Sequence, residues 1–225
     1  MAGSPLAASR DGLEETPAFP IPQMAERSEI RELIENWVLW RDSGDWERFA
    51  TVWHDDGRMN ATWFQAPAPE FIARSRKAFE AGLVGLHTLG GSNIEVVGPR
   101  AVAQTKMQII QRAPIDGVLV DVTCFGRFVD AIEKRDGRWG MVFRQPVYEL
   151  DQIIPVDPSA TITLDRGLLA SFPEGYQHLA YLQTKLGFDV ATNLPGTRGP
   201  EIAALMARMT GWLAGSPQAS LNAQA

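Results

Sequence analysis

Asp42 is the first residue of this chain whose type and position suggest chemistry. It lies one helical turn beyond Val38, at the edge of an apolar stripe that includes Trp37 and must face a core. A carboxylate at this edge could lie over a cavity lined by the same aromatic side chains. The alternative stays open, because charges at helix ends usually face water and Arg41 lies nearer the centre of the stripe than Asp42 does.

The segment that positions Asp42 is predicted to form two short helices, set nearly end to end between Ser28 and Gly57. Ser28 is a suitable N-cap for the first helix, and Gly44 is predicted to end it. Asp45 can then cap the second helix. The first helix carries an apolar face at three- and four-residue spacing, formed by Ile30, Leu33, Ile34, Trp37 and Val38.

A long antiparallel meander is predicted after these helices. A short strand at residues 58–65 and a helix from Glu70 to near Gly82 come first. Asp136-Gly137 is a strong tight-turn signal between the last two of the strands that follow. Helices followed by consecutive strands indicate an α+β fold, with a curved sheet packed against helices. The four strands of the meander are predicted at residues 86–97, 101–112, 118–133 and 139–150.

Polar side chains interrupt the otherwise apolar strands. One face of a curved sheet packed against helices should be mostly apolar, so polar groups that enter that face would line a pocket. Others must simply face solvent, and Asp121 with Arg127 could form a cross-strand pair there. The interrupting residues are Lys106, Gln108, Arg112, Asp121, Arg127 and Arg144.

Composition excludes several classes of function. The chain has 225 residues, 45% of them hydrophobic, with a net charge of −6. An acidic balance without a basic cluster argues against nucleic acid or an anionic membrane as partner. Three histidines, at positions 54, 87 and 178, lack metal-ligand spacing, and no glycine-rich phosphate loop is present. We therefore expect a cytoplasmic protein without metal or cofactor, in which the single cysteine, Cys124, is buried and inert.

Both ends of the chain differ in composition from its middle. Residues 1–25 are rich in small residues and proline, which predicts a disordered or loosely draped arm. Residues 151–225 are predicted to form a helical extension, with Asp165 as a helix cap and Pro200 at the start of the last helix. Its apolar stripes favour packing against the pocket mouth or a neighbouring subunit, hence a homo-oligomer. The final twelve residues are predicted to be disordered.

Residues 26–150 contain, in this order, the run EIRELI…WRDSGDWERFATVWHDDG, a following helix, and the strand-forming GLHTLGGSNIEV and DGRWGMVFR. Their order and spacing resemble the SnoaL-like branch of the nuclear-transport-factor-2-like superfamily. This resemblance implies a cone, in which a strongly bent antiparallel sheet wraps around helices and encloses one deep pocket. It also implies dehydratase, dehydrochlorinase, isomerase or cyclase chemistry without a cofactor.

The resemblance implies a set of site residues. Asp42 matches an Asp near the end of the first helix, His87 the His paired with it, and Arg144 an Arg of the last strand. The pair Gly90-Gly91 lengthens the strand after His87, which predicts a β-bulge there that would turn His87 away from Asp42. The expected substrate-binding residues are Trp40, Trp63, Lys106, Arg127 and Tyr148.

A narrower resemblance is to lignin-dimer γ-formaldehyde lyases, which convert diarylpropane diols to stilbenes. It implies a lyase acting on a small aromatic alcohol, with formaldehyde released through a quinone methide. Two other functions stay open. One is a dehydratase or isomerase of a polyketide- or steroid-like substrate with the same residues, and the other is a non-catalytic binding or assembly module.

Overall fold

The computed structural model describes residues 21–222, which form helices packed on both faces of one curved sheet. The predicted α+β class is confirmed. Among the described residues, no helix is long and apolar enough to cross a membrane. The helices are α1 (Ile21–Ser43), α2 (Trp46–Thr51), α3 (Ala68–Glu80), α4 (Arg166–Ala170), α5 (Gln177–Lys185) and α6 (Pro200–Leu213), with short 3₁₀ helices at Glu174–Tyr176 and Gln218–Asn222.

The sheet has six strands in the order β2-β1-β6-β5-β4-β3. Neighbouring strands are antiparallel except β1 and β6, which are parallel. Register shifts near Gly126 and Ile132 in the β5–β6 pair bend the sheet towards α1. The strands are β1 (Trp53–Asn60), β2 (Gln65–Pro67), β3 (Val84–Val97), β4 (Arg100–Ile115), β5 (Val118–Arg135) and β6 (Arg138–Pro155).

The start of α1 corrects the sequence prediction. The helix has 23 residues and already begins at Ile21, so Ser28 lies inside it and is not its N-cap. Of the predicted N-terminal arm, residues 21–25 are helical, and the remainder lies outside the described residues. The other end of α1 is as predicted. Gly44 takes a φ of 77°, which favours glycine, and the Asp45 side chain accepts a hydrogen bond from the Arg48 backbone at the start of α2.

The first strand begins earlier than its sequence pattern indicates. The sequence pattern begins this strand at residue 58, yet residues 53–57 also belong to β1, beside β6. A Cβ on Gly57 would lie 2.8 Å from the Met141 backbone oxygen, so only glycine allows the two strands to approach this closely. The strand signal was missed because His54, Asp55 and Asp56 are polar in a strand that tertiary packing holds.

The C-terminal extension covers both faces of the sheet. On the concave side, α5 packs into the main core that α1 and α3 also enter. On the convex side, Leu205, Met209 and Trp212 of α6 pack on the sheet in a second apolar cluster. Leu221 is buried in that cluster, which corrects the prediction that the final residues are disordered as far as Asn222. Cys124 is fully buried, and burial raises the pKa of its thiol, as expected for an inert side chain.

Candidate active site

A hollow opens between the concave face of the sheet and helices α1, α3 and α5. The hollow contains a cavity of about 90 Å³ and opens to solvent at its mouth, so side chains do not fill it completely. Its walls are mainly apolar, with eight aromatic side chains and a few polar groups among them, which is the usual composition of a small-molecule site. The aromatic walls are Trp37, Trp46, Trp63, Phe71, Phe79, Phe128, Tyr148 and Phe188, and the polar lining residues are Arg41, Thr62, Ser75, His87, Gln111 and Gln183.

Asp42 and His87 meet beside this hollow. The His87 ring nitrogen Nδ1 lies 2.9 Å from Asp42 Oδ1, and the His87 backbone N–H donates to Asp42 Oδ2 over 2.6 Å. The predicted bulge is present, because the β3–β4 register shifts between Leu89 and Ser92. It does not turn His87 away as expected, since the shift comes after His87, which keeps its regular pairing with Ile109.

The surroundings of the pair favour a neutral His87 beside an ionised Asp42. Burial lowers the pKa of His87, and the Arg41 charge lowers it further against the opposing effect of Asp42. Burial alone would raise the pKa of the Asp42 carboxyl, but hydrogen bonds from His87 and nearby positive charges outweigh it and the pKa falls. With the Nδ1 proton donated to Asp42, Nε2 of His87 carries the free lone pair that a base needs.

Arg41 lines the hollow beside the pair, contrary to the reading of both end-of-helix charges as solvent-exposed. Its side chain is 16% exposed, and its Nη1 lies 3.0 Å from Asp42 Oδ1 and 3.5 Å from His87 Nδ1. Burial lowers the pKa of the Arg41 guanidinium, and the charge and hydrogen bond of Asp42 oppose this shift. Arg41 is the only Lys or Arg among the described residues that line the hollow.

Arg144 does not line the hollow, although it lies close behind it. Its guanidinium makes two hydrogen bonds to Asp130, of 2.7 and 2.8 Å, and both side chains are fully buried. The guanidinium is also packed over the rings of Trp37 and Phe128. The family resemblance placed it in the site together with Asp42 and His87. Instead it pairs with Asp130, its direct cross-strand partner on the same face of the sheet.

Three residues expected to bind substrate lie outside the hollow. Lys106 and Arg127 are cross-strand partners, and both pair with Glu149. They point away from the core because their chain neighbours Met107 and Phe128 are buried in it and successive side chains of a strand alternate. Trp40 is displaced by about 100° around α1 from Arg41 and packs against the core elsewhere. Trp63 and Tyr148, by contrast, line the hollow as expected.

A family comparison identifies the domain that carries this geometry. A SnoaL-like domain matches residues 22–145, more than half of the chain. The chain belongs to the SnoaL-like family. This confirms the resemblance to the nuclear-transport-factor-2-like superfamily.

Similar proteins include fungal relatives and bacterial structures. Pea pathogenicity protein 2 of Fusarium vanettenii is 38% identical over 177 residues, 77% of this chain and 76% of that protein. A hexachlorocyclohexane dehydrochlorinase, LinA type 2, superposes with a TM-score of 0.52 at 15% identity, over 63% of this chain and 97% of its own. A putative scytalone dehydratase of Novosphingobium aromaticivorans gives 0.51 at 16% identity, with the same coverages. At these identities the structures show the fold alone.

The hollow of this SnoaL-like protein is completed by residues beyond the matched domain. Leu179 and Gln183 of α5 and Phe188 after it line the wall opposite the sheet. Thr62 donates to Gln183 Oε1 over 2.6 Å, and Gln183 Nε2 donates to Gln111 Oε1 over 3.2 Å. Sequence reasoning missed Gln111 and Gln183 as site residues. The available signal for both was a Gln within an otherwise apolar pattern. A Gln on the protein surface gives the same pattern, so the sequence did not distinguish a pocket residue from a surface residue.

The other two histidines of this SnoaL-like protein lie outside the hollow. His54 Nε2 bonds the Glu133 backbone oxygen over 2.9 Å, and its ring packs against Gly140, so its role is structural. His178 Nδ1 lies 2.8 Å from Asp151 Oδ1, at the start of α5. The molecule therefore contains a second His–Asp pair, which is absent from the lining of the hollow.

Proposed function

We propose that this protein is a cofactor-independent lyase that catalyses an elimination on a small, largely aromatic alcohol. The observation that carries this proposal is the His87–Asp42 contact of 2.9 Å at the wall of an open, aromatic hollow. Elimination needs a base, an acid that protonates the departing group and a fixed charge, and His87, Tyr148 and Arg41 in the lining of this hollow could supply them.

His87 is the proposed general base. Its Nε2 takes the proton from substrate, and Asp42 fixes the Nδ1–H tautomer and stabilises the imidazolium that forms. Proton transfer of this kind typically contributes about 10²–10⁴ in rate. Tyr148 lines the hollow, and burial raises the pKa of its phenol, so it stays protonated and can donate to a departing hydroxyl.

The finer proposal is release of formaldehyde from a lignin-derived diarylpropane diol. Loss of the benzylic hydroxyl and the para-phenol proton, as water, would give a quinone methide. His87 would then take the proton of the terminal hydroxymethyl group, the carbon–carbon bond would break to release formaldehyde, and its electron pair would restore the phenol of a stilbene. The rings of Trp63, Phe71 and Phe188 in the wall could stack on the aryl groups of such a substrate.

Product analysis tests both levels of the proposal. A diarylpropane diol is incubated with the protein, and formaldehyde, stilbene and simple dehydration products are measured separately. Formaldehyde with an equal amount of stilbene supports the finer proposal, while a dehydration or isomerisation product supports the broader class instead. Polyketide- and steroid-like alcohols are tested in parallel.

Variants separate chemistry from folding in the same assay. His87→Ala should lose turnover by at least about a hundredfold while keeping its melting temperature close to wild type. His178→Ala is the matched control, because it breaks the His–Asp pair outside the hollow and should keep turnover within about threefold. Full activity of His87→Ala would overturn the proposal.

A further inference from the structure

Arg41 has donor capacity that the rest of the described chain does not use. Among its three guanidinium nitrogens, only Nη1 bonds a described residue, Asp42, because the His87 Nδ1 that lies 3.5 Å from it already donates its proton to that carboxylate. Its Nε is buried without a partner. A buried N–H without an acceptor is costly, and a guanidinium offers five donors in a fixed fork. An acceptor brought by a ligand would satisfy them.

The position of Arg41 aims this capacity at the hollow. A Cβ built on Gly85 would lie 3.9 Å from Arg41 Nη1, and Gly85 pairs across the sheet with Gln111. A Cβ at position 85 would make ordinary van der Waals contact with the guanidinium, so β3 passes directly beside Arg41. Arg41, His87 and Gln111 all line the hollow, and Arg41 Nη1 lies 3.5 Å from the His87 ring.

The competing cation is Arg144, and its environment excludes it from this role. Arg144 also has a nitrogen without a partner, Nη1, but its side chain has no exposed surface. The Asp130 carboxylate takes its other two nitrogens, and the rings of Trp37 and Phe128 cover it. A ligand could reach Arg144 only after these aromatic rings moved, whereas Arg41 already faces the hollow.

We propose that Arg41 binds a delocalised oxygen anion of the substrate, a phenolate or an enolate, directly beside the base His87. In the elimination, the proton would pass from substrate to His87 Nε2, and the electron pair left behind would be shared with the oxygen held by Arg41. Charge-assisted bonds from a guanidinium to an oxyanion are among the stronger hydrogen bonds of proteins. The catalytic part of this inference rests on the proposed function, whereas the preference for an oxyanion does not need turnover.

Ligand binding tests that preference without any reaction. 4-Nitrophenol, which absorbs visibly only as the phenolate, is titrated into the protein near the pH at which it ionises, and 4-nitroanisole serves as the neutral analogue. In the wild type, bound nitrophenol should carry the phenolate spectrum at a pH where free nitrophenol is largely neutral. Arg41→Met should weaken phenolate binding roughly 10- to 100-fold and leave anisole binding unchanged.

Three further variants make the result specific. Arg41→Lys keeps the charge without the fork and should recover part of the affinity. Arg48→Met removes an exposed arginine of α2 outside the hollow and should bind phenolate as the wild type does. His178→Ala removes a histidine outside the hollow and should also keep phenolate binding within about threefold. A wild type that fails in the lyase assay but binds phenolate would count against the proposed lyase and not against Arg41.

Several results would overturn the inference. One is an equal affinity of Arg41→Met and the wild type for the phenolate. Another is a wild type that binds nitrophenol in its neutral form or binds no phenolate. A third is a wild type that binds nitroanisole as tightly as the phenolate. Melting curves of each variant show that the fold is kept. If a folded Arg41→Met variant bound neither nitrophenol nor nitroanisole, Arg41 would shape the hollow and would not recognise the anion specifically.

Discussion

Two His–Asp pairs in this molecule share nearly the same local geometry and differ in their surroundings. In each, one carboxylate oxygen accepts the histidine's own backbone N–H, over 2.6 Å at Asp42 and 2.7 Å at Asp151. The other oxygen lies 2.9 Å from Nδ1 of His87 and 2.8 Å from Nδ1 of His178. Contact between an imidazole and a carboxylate therefore does not distinguish the two pairs.

Their neighbours do distinguish them. Asp151 also accepts the Leu179 backbone N–H over 2.8 Å, so it satisfies two donors at the first turn of α5, which has no side-chain cap of its own. Asp42 instead shares its carboxylate with Arg41, and His87 faces the hollow. The His178–Asp151 pair anchors a helix, whereas the His87–Asp42 pair has a free ring nitrogen next to the hollow. Access and nearby charge make a His–Asp pair a candidate base.

Matched carboxylate-to-amide changes should give opposite losses in the two pairs. Asp42→Asn should lower kcat/KM by about 10²–10⁴, because His87 loses the group that fixes its tautomer. Asp151→Asn should keep most of the activity and lower the free energy of unfolding by about 1–3 kcal/mol, because three donors lose a charged acceptor. Steady-state kinetics and thermal unfolding on both variants measure this. Loss of activity from Asp151→Asn alone would reverse the assignment of the two pairs.

The charge beside His87 should be visible in the pH profile. Because the pKa of His87 is lowered from 6.5, the base form persists below that pH, and the acidic limb of kcat/KM should lie below 6.5. Arg41→Met removes a charge that lowers the pKa, so the limb should move to higher pH. The activity ratio of variant to wild type should then fall further as the pH decreases from 8 to 6. A ratio that stays constant would show that Arg41 does not act on His87.

The same shift predicts a pH effect on stability. A histidine with a lowered pKa in the folded state binds protons more readily when unfolded. Its contribution is therefore present above pH 6.5 and is lost as the pH falls from there through the lowered pKa. Replacing His87 by Gln should flatten the stability curve over that range, measured by urea unfolding at several pH values. An unchanged curve would mean that other groups dominate the acid response.

Local signals in the sequence predicted the helix ends and turns of this fold. Gly44, Asp45, Asp165 and Pro200 mark helix boundaries as expected, because capping chemistry depends on a few consecutive residues. Ser28 failed as a boundary, since the residues before it continue the helix and no local feature of Ser28 itself reveals this.

Contacts between distant segments were harder to predict. The approach of Asp42 to His87 followed from family resemblance and not from the pattern of either segment. The pairing of Arg144 with Asp130 depends on the register between β5 and β6. The alternation of polar and apolar residues does not reveal this register, because both faces of the sheet are covered. Gln111 and Gln183 come together only because α5 folds back over the hollow. These contacts determine which residues form the site, so the sequence predicted where the site lies better than which residues belong to it.

Helix α5 links the His178–Asp151 pair to the hollow, because it carries both His178 and the lining residue Gln183. Gln183 holds the amide chain between Thr62 and Gln111 within the hollow. For substrates with a polar group at that wall, Gln183→Met should lower kcat/KM about 2- to 10-fold, because the neutral hydrogen bond between the Gln183 amide and the substrate is lost. The effect should come mainly from a higher KM. Substrates without such a group should be affected less. His178→Ala should change the same preference in the same direction but more weakly, since it loosens the helix without removing the amide. Kinetics with a matched pair of substrates, one with and one without the polar group, measure both effects. If His178→Ala changed the substrate preference more than Gln183→Met does, the His178–Asp151 pair would do more than anchor α5.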